Sequence, residues 1–174
     1  SLPEGRYRVL IRSSLRPGGL TLAECVLAGE TDEEFLIFAH DCHPSLANDN
    51  LSGVAVAAHL ARFLERQRTH YSYRFVFAPA TIGSIAWLAS SERILDRVRH
   101  GLVLALLGDS GVLQYKRSRG SHRVIDRAAA QVLTTEFQGS RLLEFSPWGY
   151  DERQFSSPGI SLPVGRLTRT ADGE

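Results

Sequence analysis

Hydrophobic and polar positions along this chain alternate between two periods. Phe35-Leu36-Ile37-Phe38 is a continuous apolar run, as a strand buried on both faces shows, and residues 102–107 form another. Residues 74–77, 141–145 and 162–167 read as further strands. Between them apolar residues recur at helical spacing. Val54, Ala57, Ala58, Ala61 and Leu64 share one face, with Arg62, Glu65 and Arg66 opposite. A helix is predicted over 84–98, and another over 122–137 with Val124, Ile125, Ala128, Ala129 and Val132 as its inner face. Near the start, residues 7–12 and 20–27 flank Pro17-Gly18-Gly19 and predict a hairpin leading into the strand at 35–39. Strands alternating with helices predict a single α/β domain over residues 1–174, a three-layer α/β/α sandwich with a mostly parallel sheet. Active groups then belong at the carboxyl ends of the central strands.

The segment A-H-D-C-H-P-S-L-A-N-D-N-L-S-G, residues 39–53, occupies such a place, between the strand at 35–38 and the first amphipathic helix. Imidazole and carboxylate at a strand end are zinc donors, and a zinc-bound water can be acidified to a pKa of about 7. His40, His43 and Asp49 are therefore candidate metal ligands. The plainer alternative is a polar turn in which Asn48, Asp49 and Asn50 only cap the helix. Asp109 follows the strand at 102–107 and is the next candidate; its alternative is a Gly-Asp-Ser turn bonded to its own backbone.

Three blocks in one order carry a resemblance: C-H-P-S-L-A-N-D-N-L-S-G (42–53), P-A-T-I-G-S (79–84) and G-Y-D-E-R-Q-F-S-S-P-G (149–159), continued by Leu162-Pro163-Val164-Gly165. The chain resembles the zinc aminopeptidase clan of bacterial leucyl aminopeptidase and glutamate carboxypeptidase, in an aminopeptidase-like branch. The resemblance implies a zinc-peptidase-like fold, one or two zinc ions, and hydrolysis of the amide next to a free N-terminus in peptides or aminoacyl amides. It implies that Asp49 bridges metals, that Asp49-Asn50 is the peptide often cis in the clan, and that Asp109 completes the site. His43 matches the branch's C-H-P-S block, while His40 stands nearer the strand end in the clan's H-x-D place; both stay candidates.

One position breaks the pattern. The resemblance implies a general-base Glu in P-E-T-I-G-S, and this chain has Ala80 there. Thr81 replaces the carboxylate that in relatives holds a second metal. Losing a general base removes a factor of about 10²–10⁴ in rate, so the chain as written is expected to be inactive or impaired, with at most one tight zinc site. An engineered knockout and a natural pseudopeptidase that binds a peptide or amino-acid-like ligand are both open. In the last block, Asp151 and Glu152 are candidates to receive a substrate α-amino group and Arg153 to hold a carboxylate; a surface ion-pair cluster is the alternative. No Ser lies in a G-x-S-x-G elbow, which disfavours a serine hydrolase.

Composition changes this picture little. A net charge of +1, with scattered arginines, gives no reason to expect nucleic acid or an anionic membrane as partner. The longest apolar runs are too short to span a bilayer, and a cytoplasmic location is the default expectation. Cys25 and Cys42 read as free thiols. The chain starts at Ser1 without any methionine and reads as a trimmed piece, and the resemblance implies a further metal histidine beyond Glu174.

Overall fold

The computed structural model describes residues 3–120 and 122–169. Seven strands form one sheet in the order β1-β3-β2-β4-β7-β5-β6. They are β1 (Ala23–Leu27), β2 (Glu34–His40), β3 (Ser72–Ala78), β4 (Val98–Leu104), β5 (Gln114–Lys116), β6 (Arg141–Leu143) and β7 (Val164–Thr168). β2, β3, β4 and β7 run parallel, β1 and β5 pair antiparallel with β3 and β7, and β6 lies parallel to β5. The helices are α1 (Leu51–Leu64), α2 (Ile82–Ser90), α3 (Val124–Glu136) and the short α4 (Glu152–Phe155).

Strand side chains alternate between two faces, so each central strand feeds two cores. Leu36, Phe38, Val76, Val103 and Val164 pack with Trp87 and Leu88 of α2 and Phe155 of α4. Ile37, Ala39, Phe75 and Leu104 pack with Ala57, Leu60 and Ala61 of α1. Both faces are therefore covered, which is why β2 reads as an unbroken apolar run. α1 sits close against β4: a Cβ at Gly53 would lie 2.5 Å from the Leu104 carbonyl oxygen, so only glycine fits there.

Several expected boundaries move. Residues 7–12 form no strand, and Val9, Leu10 and Ile11 are exposed; β1 hydrogen-bonds β3 instead of making a hairpin with them. Alternation marks a segment that suits a sheet, but a strand forms only where a neighbour completes its ladder. The helix expected over 84–98 ends at Ser90 and tightens into a 3-10 turn, Glu92–Arg97, after Ser90 Oγ bonds back to the Trp87 carbonyl. The strand expected over 102–107 is β4, Val98–Leu104, which starts and stops earlier. Leu106 takes φ 51° and leaves the ladder, its N–H held by Asn50 Oδ1 at 3.0 Å. β5 was hidden because its buried residues are Gln114, Tyr115 and Lys116, a polar set without apolar period.

Candidate functional site at the carboxyl ends of the central strands

β2, β3 and β4 are parallel, so His40, the turn after Ala78 and the segment after Leu104 meet at one edge of the sheet. His40 ends β2 and is 1% exposed. Its Nε2 lies 2.7 Å from Asp49 Oδ1, and its Nδ1 lies 3.3 Å from Asn50 Nδ2. The imidazole stacks on the Tyr150 ring, centroids 5.0 Å apart and planes 12° from parallel. The Arg166 guanidinium lies over the Tyr150 ring, 5.5 Å from its centroid.

Asn50, fully buried, ties the loop to β4. It donates to the Leu104 carbonyl at 2.9 Å and accepts from Leu106 N–H. The Asp49-Asn50 peptide is cis, as the resemblance implies. Asn48 and Ser52 extend the same docking: Gly108 N–H donates to Asn48 Oδ1 at 2.7 Å and Leu107 N–H to Ser52 Oγ at 2.9 Å. The N-D-N-x-S run thus holds backbone groups of the segment after β4 as well as bearing Asp49.

His43 sits on the exposed side of the loop. Its Nε2 is 3.9 Å from Asp49 Oδ2, and its Nδ1 lies 2.9 Å from the Pro44 carbonyl oxygen. Asp109, five residues beyond the end of β4, accepts from Asn48 Nδ2 at 2.8 Å and from Gly111 N–H at 2.7 Å. The loop therefore gathers His40, His43 and Asp49, and Asp109 is tied to the same loop through Asn48.

Ala80 follows β3, and its N–H donates to Cys42 Sγ at 3.1 Å. Partial burial, with Asp151, Asp49 and Asp41 nearby, pushes the Cys42 thiol up despite the bond from Ala80, so Cys42 is a thiol at neutral pH. Thr81 opens α2 at φ 63°. Its N–H and the Ser84 hydroxyl both donate to Asp151 Oδ1, at 2.8 and 2.6 Å. Asp151 is fully buried and its Oδ2 has no hydrogen-bond partner among the described residues. Burial raises its pKa against the opposing pull of Ser84, Thr81, His40 and Arg153.

Glu152 is also fully buried, paired with Lys116 Nζ at 2.9 Å and Arg166 Nη1 at 3.5 Å. Neither carboxylate is open to a substrate amine in this arrangement. Arg153 is half-buried and reaches Thr81 Oγ1 at 3.5 Å. Asn50, a capping candidate from the sequence, makes no side-chain cap bond and instead holds β4, while Tyr150, Lys116 and Arg166 carry no sequence signal of their roles here.

The donor types suit zinc, but the arrangement is incomplete. His40 and Asp49 touch each other, and among the described residues no group of three or more His, Cys, Asp and Glu side chains is placed to hold a metal ion. An open catalytic zinc site takes three protein ligands, and residues 80 and 81 add none. Among the described residues no helix is long and apolar enough to cross a membrane.

Comparison with known proteins agrees with the fold. A protein of Clostridium acetobutylicum described as "Putative polysaccharide biosynthesis protein with aminopeptidase-like domain" is 48% identical over 167 residues, covering 96% of this chain and 38% of that protein. The crystal structure of a "putative peptidase" from Clostridium acetobutylicum superposes with a TM-score of 0.85 at 47% identity, over 87% of this chain and 36% of that one. BSAP, a zinc aminopeptidase from Bacillus subtilis, shares the fold with a TM-score of 0.70 at 17% identity, over 87% of this chain and 41% of its own. The chain thus spans well under half the length of these relatives. Its residues 3–174 match the model of a family described as "Domain of unknown function (DUF4910)", and the chain belongs to that family.

Proposed function

We propose that this chain is an aminopeptidase-like domain that binds the N-terminal end of a peptide or an aminoacyl amide, and that its capacity to hydrolyse the adjacent amide is lost or strongly impaired as written. The observation that carries this reading is Ala80. It sits just past the carboxyl end of β3, its backbone held by Cys42 Sγ. β2, ending at His40, is parallel to β3, so residue 80 lies at the sheet edge that bears the His40–Asp49 pair. A methyl group accepts no proton, and Thr81 is no substitute for a carboxylate base.

The residues around it are suited to holding groups in place. Asp49 and Asn50 fix the plane of the His40 ring, which Tyr150 backs. Asp151 fixes the Thr81 turn. In the clan the bound metal supplies an activated water, and the candidate donors here are His40, His43, Asp49 and Asp109. A second reading, a catalytically silent module that keeps the fold and binds such a ligand, is favoured by Ala80 and Thr81, neither of which brings a carboxylate to this sheet edge. Restoring the carboxylate separates the two. Ala80→Glu in the full-length protein, with zinc supplied, is expected to gain aminopeptidase turnover on aminoacyl anilides. A folded, zinc-loaded Ala80→Glu protein that stays silent leaves only the binding module.

A further inference from the structure

A cavity of about 450 Å³ lies between the segment after β5 and the chain around α4, lined among others by Arg119, Arg153, Ser156, Phe145, Pro147 and Pro158. Its lining includes two arginines and no aspartate or glutamate. Neither arginine has an ion-pair partner among the described residues. Arg119 spends one donor on the Ser156 carbonyl at 3.3 Å, and Arg153 spends one on Thr81 Oγ1 at 3.5 Å. Arg153 Nε is buried without a partner, and so is the hydroxyl of Ser156, a residue only 1% exposed.

A guanidinium offers five donors in a fork that matches oxyanions, and buried donors left unpaired are costly. Two arginines lining one cavity favour an anion there over a cation or a neutral group. Phe145, Pro147 and Pro158 add apolar walls around them. Of the nearby carboxylates, Glu152 pairs with Lys116 and Arg166, while Asp151 takes Thr81 and Ser84 on Oδ1 and also interacts electrostatically with Arg153; neither lines the cavity.

We propose that this cavity is an anion-binding site, with Arg119, Arg153 and Ser156 holding a carboxylate or a phosphate monoester carried on a compact apolar body. Arg153 bridges to Thr81, the neighbour of Ala80, so the bound anion lies beside the turn that bears the site described above. The inference needs neither a metal nor hydrolysis, and stands or falls apart from the proposed function.

Isothermal titration of the full-length protein with phenyl phosphate, benzoate and neutral benzamide tests it. One or both anions bind with Kd at or below about 1 mM, and benzamide does not. The stronger of the two anions identifies the head group. Arg119→Gln and Arg153→Gln each weaken that binding by about tenfold or more, the worth of a lost charge-assisted contact. Arg119 is exposed, so its variant keeps the fold, as a thermal melt verifies, and carries the test should Arg153→Gln unfold. Absence of binding by both anions at 10-fold higher concentration, equal binding of benzamide, or unchanged affinity in folded Arg119→Gln overturns the proposal.

Discussion

Asp151 Oδ1 receives the Thr81 N–H at 2.8 Å, tying a residue of the last motif block to the turn that carries Ala80, 70 positions earlier in the chain. The same oxygen takes the Ser84 hydroxyl at 2.6 Å. A carboxylate that reads in sequence as a substrate contact here holds a left-handed turn in place.

This gives Asp151 a testable pH signature. Burial raises its folded pKa above the ordinary carboxylate value, so between the unfolded and folded values the folded state binds more protons. Stability contributed by this group is therefore fully present below the unfolded pKa and lost as pH rises through the folded one. Asp151→Asn keeps an acceptor for Thr81 and Ser84 without the buried charge, and is expected to be as stable as the parent or more so at pH 7, with a flatter stability–pH curve above pH 4. Asp151→Ala strands both donors and is expected to cost about 1–3 kcal/mol for each. Urea unfolding of both variants from pH 4 to 8 checks the two outcomes.

Asn50 is expected to matter for stability as much as for any ligand. Asn50→Ala leaves the Leu104 carbonyl and the Leu106 N–H unpaired in a fully buried place, for about 1–3 kcal/mol per group. Equilibrium denaturation reads the loss directly. A shift below 0.5 kcal/mol contradicts the role assigned to it.

Zinc content is expected not to exceed one tightly bound ion per chain. His40 and Asp49 form one donor pair with His43 near it, and residues 80 and 81 bring no carboxylate for a second ion. Elemental analysis after dialysis against a weak chelator measures this. Two ions retained per chain contradict it, and loss of the bound ion in His40→Ala identifies the first donor.

Much of this architecture was legible in the sequence because the strands buried on both faces, β2 above all, announce themselves by composition. Placing His40 and Asp49 at one strand end needed only the order of motifs. What escaped reading depends on long-range pairing. Gln114 and Lys116 are buried because β5 adds to β7 and Glu152 neutralises the lysine, and neither partner is near in sequence. Asp109 was placed at a strand end by an apolar run, but Leu106 at φ 51° ends that run in a turn that Asn48, Asn50 and Ser52 hold from the other loop. Exposed residues 7–12 carry a strand-like alternation that the sheet does not use.

The central claim is that residue 80 limits hydrolysis in this chain, and side-by-side turnover of the full-length parent and Ala80→Glu on aminoacyl anilides, with excess zinc and bound metal confirmed, tests it most directly. The parent is expected to stay near background, and Ala80→Glu to exceed it by about 10²–10⁴-fold, the worth of a positioned proton acceptor. A parent that turns over as fast as Ala80→Glu, or a folded, zinc-loaded Ala80→Glu protein that remains silent, contradicts the account.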